Sequence, residues 1–346
     1  MNADAVGAKQ ASLVCLGLAL ACSEAELVPV IAGDTGSIRV LASGMDTPTT
    51  VAVRNGIAWV PEGQFTHFPT LGGDGTPGPF QVRSVYLNGD GLRDVSIQLL
   101  APDYYPEGIA ANLATGDLYI GSILNGTILR VPNASTEVEE FLPAVPEVLQ
   151  RGAFGLRVDN GRRVLWVCDS NLGATPARPG GTLVGINYSD ASLAVRHELP
   201  EGSICNDILV DPEGNVFFTE TAFGRVYRIP AELALVDNSA ELWLEHPALE
   251  PPMPMQFGAN GIALAGSRLF IANTSAGTLV RVDPSAADPA SSVSVVALSE
   301  AGVPDPVTLS GPDGVFELSD TQLLVVENGF GGSGLRRLIE IQLDPE

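Results

Sequence analysis

Four residues that carry side-chain oxygen, Glu107, Asn206, Asn260 and Asp313, each head the same short phrase. That phrase is a Gly or polar residue, a branched apolar residue, a hairpin turn and a second apolar run. Two further copies begin at Thr49 and Phe154, so the phrase occurs six times, at intervals of 47 to 58 residues. Two carboxylates and two amide carbonyls brought to one point would form a hard oxygen site. Ca2+ is its natural occupant, since it takes six to eight oxygen ligands and mixes carboxylate with amide and water. Zinc or copper would call for His or Cys, and neither type heads a copy.

What could bring such scattered residues together is set by the repeat. A period near 50 residues, with several short strands per unit, marks a β-propeller, in which equivalent positions of successive blades surround one axis. Each copy alternates apolar and polar residues, the period of a half-buried strand. The first two strands are joined through turn formers such as Asn55-Gly56, Thr115-Gly116, Asn160-Gly161 and Glu213-Gly214. Third strands are expected at residues 127–131, 225–229 and 278–282, and a short helix at 231–235. The expected fold is all-β, a six-bladed β-propeller in which an N-terminal strand at 37–42 pairs with a C-terminal strand within 334–343 to close one blade and protect its edges. Length alone suggests two domains, but the repeat assigns residues 30–346 to one. A β-sandwich would not repeat one phrase six times.

Composition narrows the partners. The formal net charge is −23, which argues against nucleic acid and anionic membrane surfaces. A small-molecule substrate and a monomeric state are expected. Residues 1–21 read as a signal peptide: Lys9 precedes an apolar run at 11–21 that is too short to span a bilayer. It ends in Ala19-Leu20-Ala21-Cys22, compatible with cleavage after Ala21 or, like a bacterial lipobox, with lipid on Cys22. Residues 22–29 would be a short tether. The protein is therefore expected to be exported, either periplasmic, anchored to the outer membrane as a lipoprotein, or secreted. Its one route to a membrane would be that lipid. Cys168 and Cys205 should meet on one face, either as a disulfide or as two buried thiols.

The phrases around Glu107, Asn206-Asp207-Ile208, Asn260-Gly261-Ile262 and Pro312-Asp313-Gly314 resemble, in order, the metal-ligand phrases of the calcium-dependent six-bladed propeller hydrolases: paraoxonases, gluconolactonases of the senescence-marker family and diisopropylfluorophosphatase. The resemblance covers residues 106–327. It implies a Ca2+-dependent hydrolase of a lactone, ester or phosphotriester, with Asp313 as nucleophile or water activator. Asp207 would support the catalytic water or serve a buried structural site. Where paraoxonases carry a histidine this chain has Phe154, and where gluconolactonases carry an arginine it has Ile204. With Phe257, these two would make the substrate pocket apolar. His197 and His246 read as surface residues, and His67 lies in a first-blade loop. The Gly- and Pro-rich loops at 64–79, 171–181 and 329–334 could rim the site. Two alternatives stay open: a non-enzymatic binding or scaffold propeller with a structural tunnel ion, and a metal-free propeller like strictosidine synthase.

Overall fold

The computed structural model describes residues 35–144, 147–172, 180–330 and 334–344. The expected signal peptide, the tether and Cys22 lie outside them. The described residues form six sheets around a common axis, antiparallel but for one added edge strand, so the chain is a six-bladed β-propeller. In chain order, blade 1 comprises Ala52–Arg54, Ile57–Pro61, Phe80–Tyr86 and Leu92–Leu99, and blade 2 comprises Pro106–Ala111, Leu118–Ser122, Ile128–Val131 and Glu139–Leu142. Blade 3 holds Gly152–Asp159, Val164–Ser170, Thr182–Asn187 and Leu193–Glu198. Blade 4 holds Cys205–Val210, Val216–Glu220, Arg225–Ile229 and Glu241–Glu245. Blade 5 holds Ala259–Ala265, Arg268–Asn273, Thr278–Val282 and Ser294–Val295.

Blade 6 is assembled from both ends of the chain. Pro312–Ser319, Gln322–Glu327 and Arg337–Leu343 come from the C-terminal side, and Thr35–Ser43 pairs antiparallel to Arg337–Leu343, with Gly36 opposite Leu343 and Ser43 opposite Arg337. A fifth strand, Ala297–Glu300, runs parallel to Thr35–Ser43 and covers its outer edge. The repeat gives no hint of this strand, because it belongs to the connection out of blade 5. The expected helix at 231–235 is a single 3-10 turn, Ala231–Leu233.

The innermost strands explain why the phrase repeats. In blades 2 to 6 the pairing of the first two strands breaks register at the same place: between Pro106 and Ile109, Ala153 and Leu156, Cys205 and Ile208, Ala259 and Ile262, and Pro312 and Val315. Such a break bends the strand and re-aims side chains. Each one encloses a leading residue and the residue after it. That second residue is glycine in four blades because the next blade presses on it. A Cβ on Gly108 would lie 2.0 Å from the Phe154 carbonyl oxygen, on Gly155 2.1 Å from that of Asn206, and on Gly261 2.1 Å from that of Asp313.

Hydrogen bonds complete the ring at the other seams. The Gly314 N–H donates to the Thr49 carbonyl (2.9 Å) and Thr49 Oγ1 to the Glu107 carbonyl (2.7 Å). Thr219 Oγ1 donates to the Asn260 carbonyl (2.6 Å) and Thr274 Oγ1 to the Pro312 carbonyl (2.8 Å). Gly261→Ala is therefore expected to cost about 1–3 kcal/mol by overpacking, read as a lowered thermal midpoint. Gly78→Ala, whose Cβ would meet nothing nearer than 3.7 Å, should leave the midpoint nearly unchanged. Equal effects from the two would refute close packing at the ring.

Candidate metal centre

Glu107, Asn206, Asn260 and Asp313 line one cavity of about 40 Å³, open to solvent at the end of the tunnel where the innermost strands begin. All four are at most 6% exposed. Two of them are held from behind. The Asn260 amide nitrogen donates to Thr274 Oγ1 (2.8 Å), which turns its carbonyl oxygen away from that contact. The Asn328 amide donates to Asp313 Oδ2 (2.8 Å), and Asn328 is fixed in turn by the Phe330 N–H donating to its Oδ1 (2.8 Å).

Glu107 Oε2 and Asn260 Oδ1 are buried without any hydrogen-bond partner. Buried acceptors are nearly always satisfied, and two in one cavity lined by two carboxylates are what a bound cation would satisfy. Among the described residues no three His, Cys, Asp or Glu side chains cluster to hold a metal ion. The donor set is therefore two carboxylates and two amides, which fits a hard ion and fits Ca2+ best.

Electrostatics agree with the geometry. Burial pushes the Glu107 carboxyl well above its ordinary range, and the charges of Asp313 and Asp207 push it further. Burial raises Asp313 to about 7; hydrogen bonds from Asn328 and Asn260 pull it back, and Asp207 adds to the rise. Both carboxyls thus bind protons more tightly in the folded chain than in the unfolded one, where Asp and Glu titrate near 4. The sign follows: in chelator, this pair favours folding at low pH, and its contribution is lost as pH rises from about 4 through about 7. A bound cation favours the ionised forms. Calcium should therefore raise the thermal midpoint more at pH 8 than at pH 5, measured against chelator at each pH. A calcium increment independent of pH would contradict the site.

Two of the expected site residues lie elsewhere. Asp207 stands where other blades have glycine, and its side chain lines the opposite half of the tunnel. Its Oδ2 accepts from the Ile262 N–H of blade 5 (3.0 Å) and its Oδ1 from its own neighbour Ile208 (2.8 Å), so it ties blade 4 to blade 5. Ile204 packs in the core beside the cavity rather than lining it, with its N–H donated to Glu220 Oε1 (2.9 Å). Phe154 and Phe257 do line the cavity.

The other walls, Phe65, Leu71, Ile123 and Phe330, were not singled out from the sequence, nor was Asn328. Phe65 comes from the 64–79 loop and stacks on Phe330 at 6.3 Å between ring centroids. Parts of the other two loops, 173–179 and 331–333, lie outside the described residues. A signal for Asn328 was present: the second strand ends in polar residues in several copies, as in Ser122, Asn273-Thr274 and Glu327-Asn328. His67 does not line the cavity; its ring pairs with Asp74 (2.8 Å). His197 is not a surface residue but fully buried. The alternation of Leu193–Glu198 turns it inward with Val195, against Trp166, where its Nδ1 accepts from the Ser239 N–H (3.3 Å). His246 is half-buried.

No protein-family model matches the chain, and no curated protein sequence is similar to it. Solved structures are similar. A structural-genomics protein of unknown function from Bacteroides thetaiotaomicron superposes with a TM-score of 0.63 at 11% identity, over 89% of this chain and 76% of that one. A gluconolactonase candidate from a structural-genomics programme gives 0.59 at 12%, over 91% and 94%. Virginiamycin B lyase from Staphylococcus aureus gives 0.54 at 12%, over 89% and 99%. The likeness is one of fold. At such identities it carries no residue and no reaction from those proteins to this chain.

Proposed function

We propose that this chain is a Ca2+-dependent hydrolase of an apolar ester, lactone or phosphotriester. The observation that carries the reading is the pair of unpartnered buried oxygens, Glu107 Oε2 and Asn260 Oδ1, in the cavity that Asp313 and Asn206 also line. When bound, Ca2+ would act as a Lewis acid on the carbonyl or phosphoryl oxygen of the substrate. Glu107, Asn206, Asn260 and Asp313 would hold it. Asp313, which protonates near neutral pH, would take the proton of an attacking water or attack directly. Asn328 fixes which carboxylate oxygen is free for that task by occupying Oδ2.

Substrate class follows from the walls. The oxygen-bearing floor is surrounded by Phe65, Leu71, Ile123, Phe154, Phe257 and Phe330, and among the described residues no Lys, Arg or His lines the cavity. The part of the substrate that does not react would therefore be apolar and uncharged. The test is hydrolysis of a panel of aryl esters and aliphatic and sugar lactones at pH 8, with calcium and with chelator. Calcium-dependent turnover that favours apolar members supports the reading. Calcium-dependent stabilisation with no turnover on any class would contradict it.

That second outcome belongs to a structural-ion reading, which one observation favours. The leading residues lie on the seams between blades, where Thr49 and Thr219 bond the carbonyls of Glu107 and Asn260. A cation there would also clamp the ring. Export and a lipid on Cys22 remain part of the proposal through the N-terminal sequence alone.

A further inference from the structure

The tunnel has a second cavity at the opposite end, where the hairpin turns lie. It is the larger of the two, about 120 Å³, and its walls mix Val51, Val53, Ile109, Leu156 and Ile208 with the polar Thr50, Asn160 and Asp207. Among the described residues the one cation that lines it is Arg157, on the innermost strand of blade 3, three residues beyond Phe154 of the metal-side cavity. Its guanidinium makes no hydrogen bond and no ion pair with any described residue. The carboxylates that act on it, Asp207 and Glu317, do so from a distance. Neither pairs with it: the Asp207 oxygens are turned to the backbone N–H groups of Ile262 and Ile208, and Glu317 is exposed.

A guanidinium is a planar fork of five donors that stays charged and costs free energy when withdrawn from water unpaired. Elsewhere in this chain arginines in similar settings are paired: Arg162 with Asp159 (2.6 Å), and Arg337 with Glu300 (2.8 Å) and Glu327. Arg157 has no such partner, and it faces this cavity.

We propose that this far mouth is a binding site for a monocarboxylate with a short apolar chain, the carboxylate paired with Arg157 and the chain lying against the aliphatic walls. A carboxylate matches the fork in two parallel hydrogen bonds. A doubly charged phosphate suits the site less, since Asp207, Glu317 and a net charge of −23 oppose a second negative charge. The aliphatic part of the lining gives a short alkyl tail a surface to lie against. An ester or lactone hydrolase releases a carboxylate, so the ligand is of the same class as the proposed product. The binding claim does not rest on that reaction.

The test is calorimetric titration of the full chain with hexanoate, in chelator so that no calcium can hold the carboxylate at the other end. Saturable binding is expected, with a Kd near 1 mM reached in a titration to about 10 mM. Arg157→Gln should weaken it about tenfold or more, Arg157→Lys by a smaller factor because it keeps the charge and loses the fork, and hexanol should bind far more weakly than hexanoate. The Arg157→Lys arm decides the matter if Arg157→Gln fails to fold. Absence of saturation in the wild type, or unchanged affinity in the folded variants, would overturn the proposal. Failure of the hydrolase assay would leave this result untouched.

Discussion

Asp313→Ala should abolish the response of the protein to calcium and lower turnover on its best substrate about a hundredfold or more. It removes one of the two carboxylates of the set and the group that would handle the proton, and losses of that order accompany removal of a single electrostatic or acid–base element. The same change has a second, opposite consequence. Asp313 and Glu107 are buried together, and Glu107 resists ionisation partly because Asp313 is near, while burial itself holds Asp313 up. Removing Asp313 relieves that repulsion, so in chelator at pH 8 the variant should be at least as stable as the wild type. In calcium it should be less stable, because only the wild type gains from the ion. This crossover is difficult to obtain from a general packing defect, which would lower both midpoints. A variant that keeps the wild-type calcium increment would remove Asp313 from the site.

Breaking the bond between Cys168 and Cys205 should cost about 3–4 kcal/mol, the loop-closure value for a span of 37 residues. The two cysteines are buried, with Cα atoms 5.1 Å apart. The bond ties the second strand of blade 3 to the first residue of the blade 4 inner strand. Cys205 immediately precedes Asn206, so the bond anchors a proposed metal ligand as well as a seam of the ring. The double variant Cys168→Ser, Cys205→Ser should unfold at lower denaturant with little change in slope, and should need more calcium for half-maximal stabilisation. An unchanged denaturation midpoint would contradict this account of the seam.

The sequence revealed what repeats and hid what does not. Six copies of one phrase made the blades, the tunnel and the shared position of Glu107, Asn206, Asn260 and Asp313 legible, because a propeller converts periodicity into a ring. The glycines after three of the leading residues announced the close approach of neighbouring inner strands, and the register breaks show where it occurs. Asp207 lies off the metal cavity because adjacent residues on a strand point to different sides: Asn206 faces the metal cavity and Asp207 the far half, where it fits the structural alternative left open by the sequence. Ile204 failed for a related reason, since it lies before the register break that turns side chains into the tunnel. Phe65 sits in an insertion peculiar to its blade, where no repeat can flag it, whereas Asn328 follows a second strand whose polar end recurs in other copies. His197 looked exposed because its neighbours Arg196 and Glu198 are charged, yet the alternation of its strand turns it inward.

The most direct test of the central claim is the thermal unfolding midpoint of the propeller at pH 8, with added Ca2+ and with chelator, beside hydrolysis of the ester and lactone panel in the same two buffers. The account predicts a higher midpoint and turnover only with calcium. A midpoint that does not respond to calcium would contradict the four-residue site itself, and a response without turnover would leave the ion in place and remove the hydrolase.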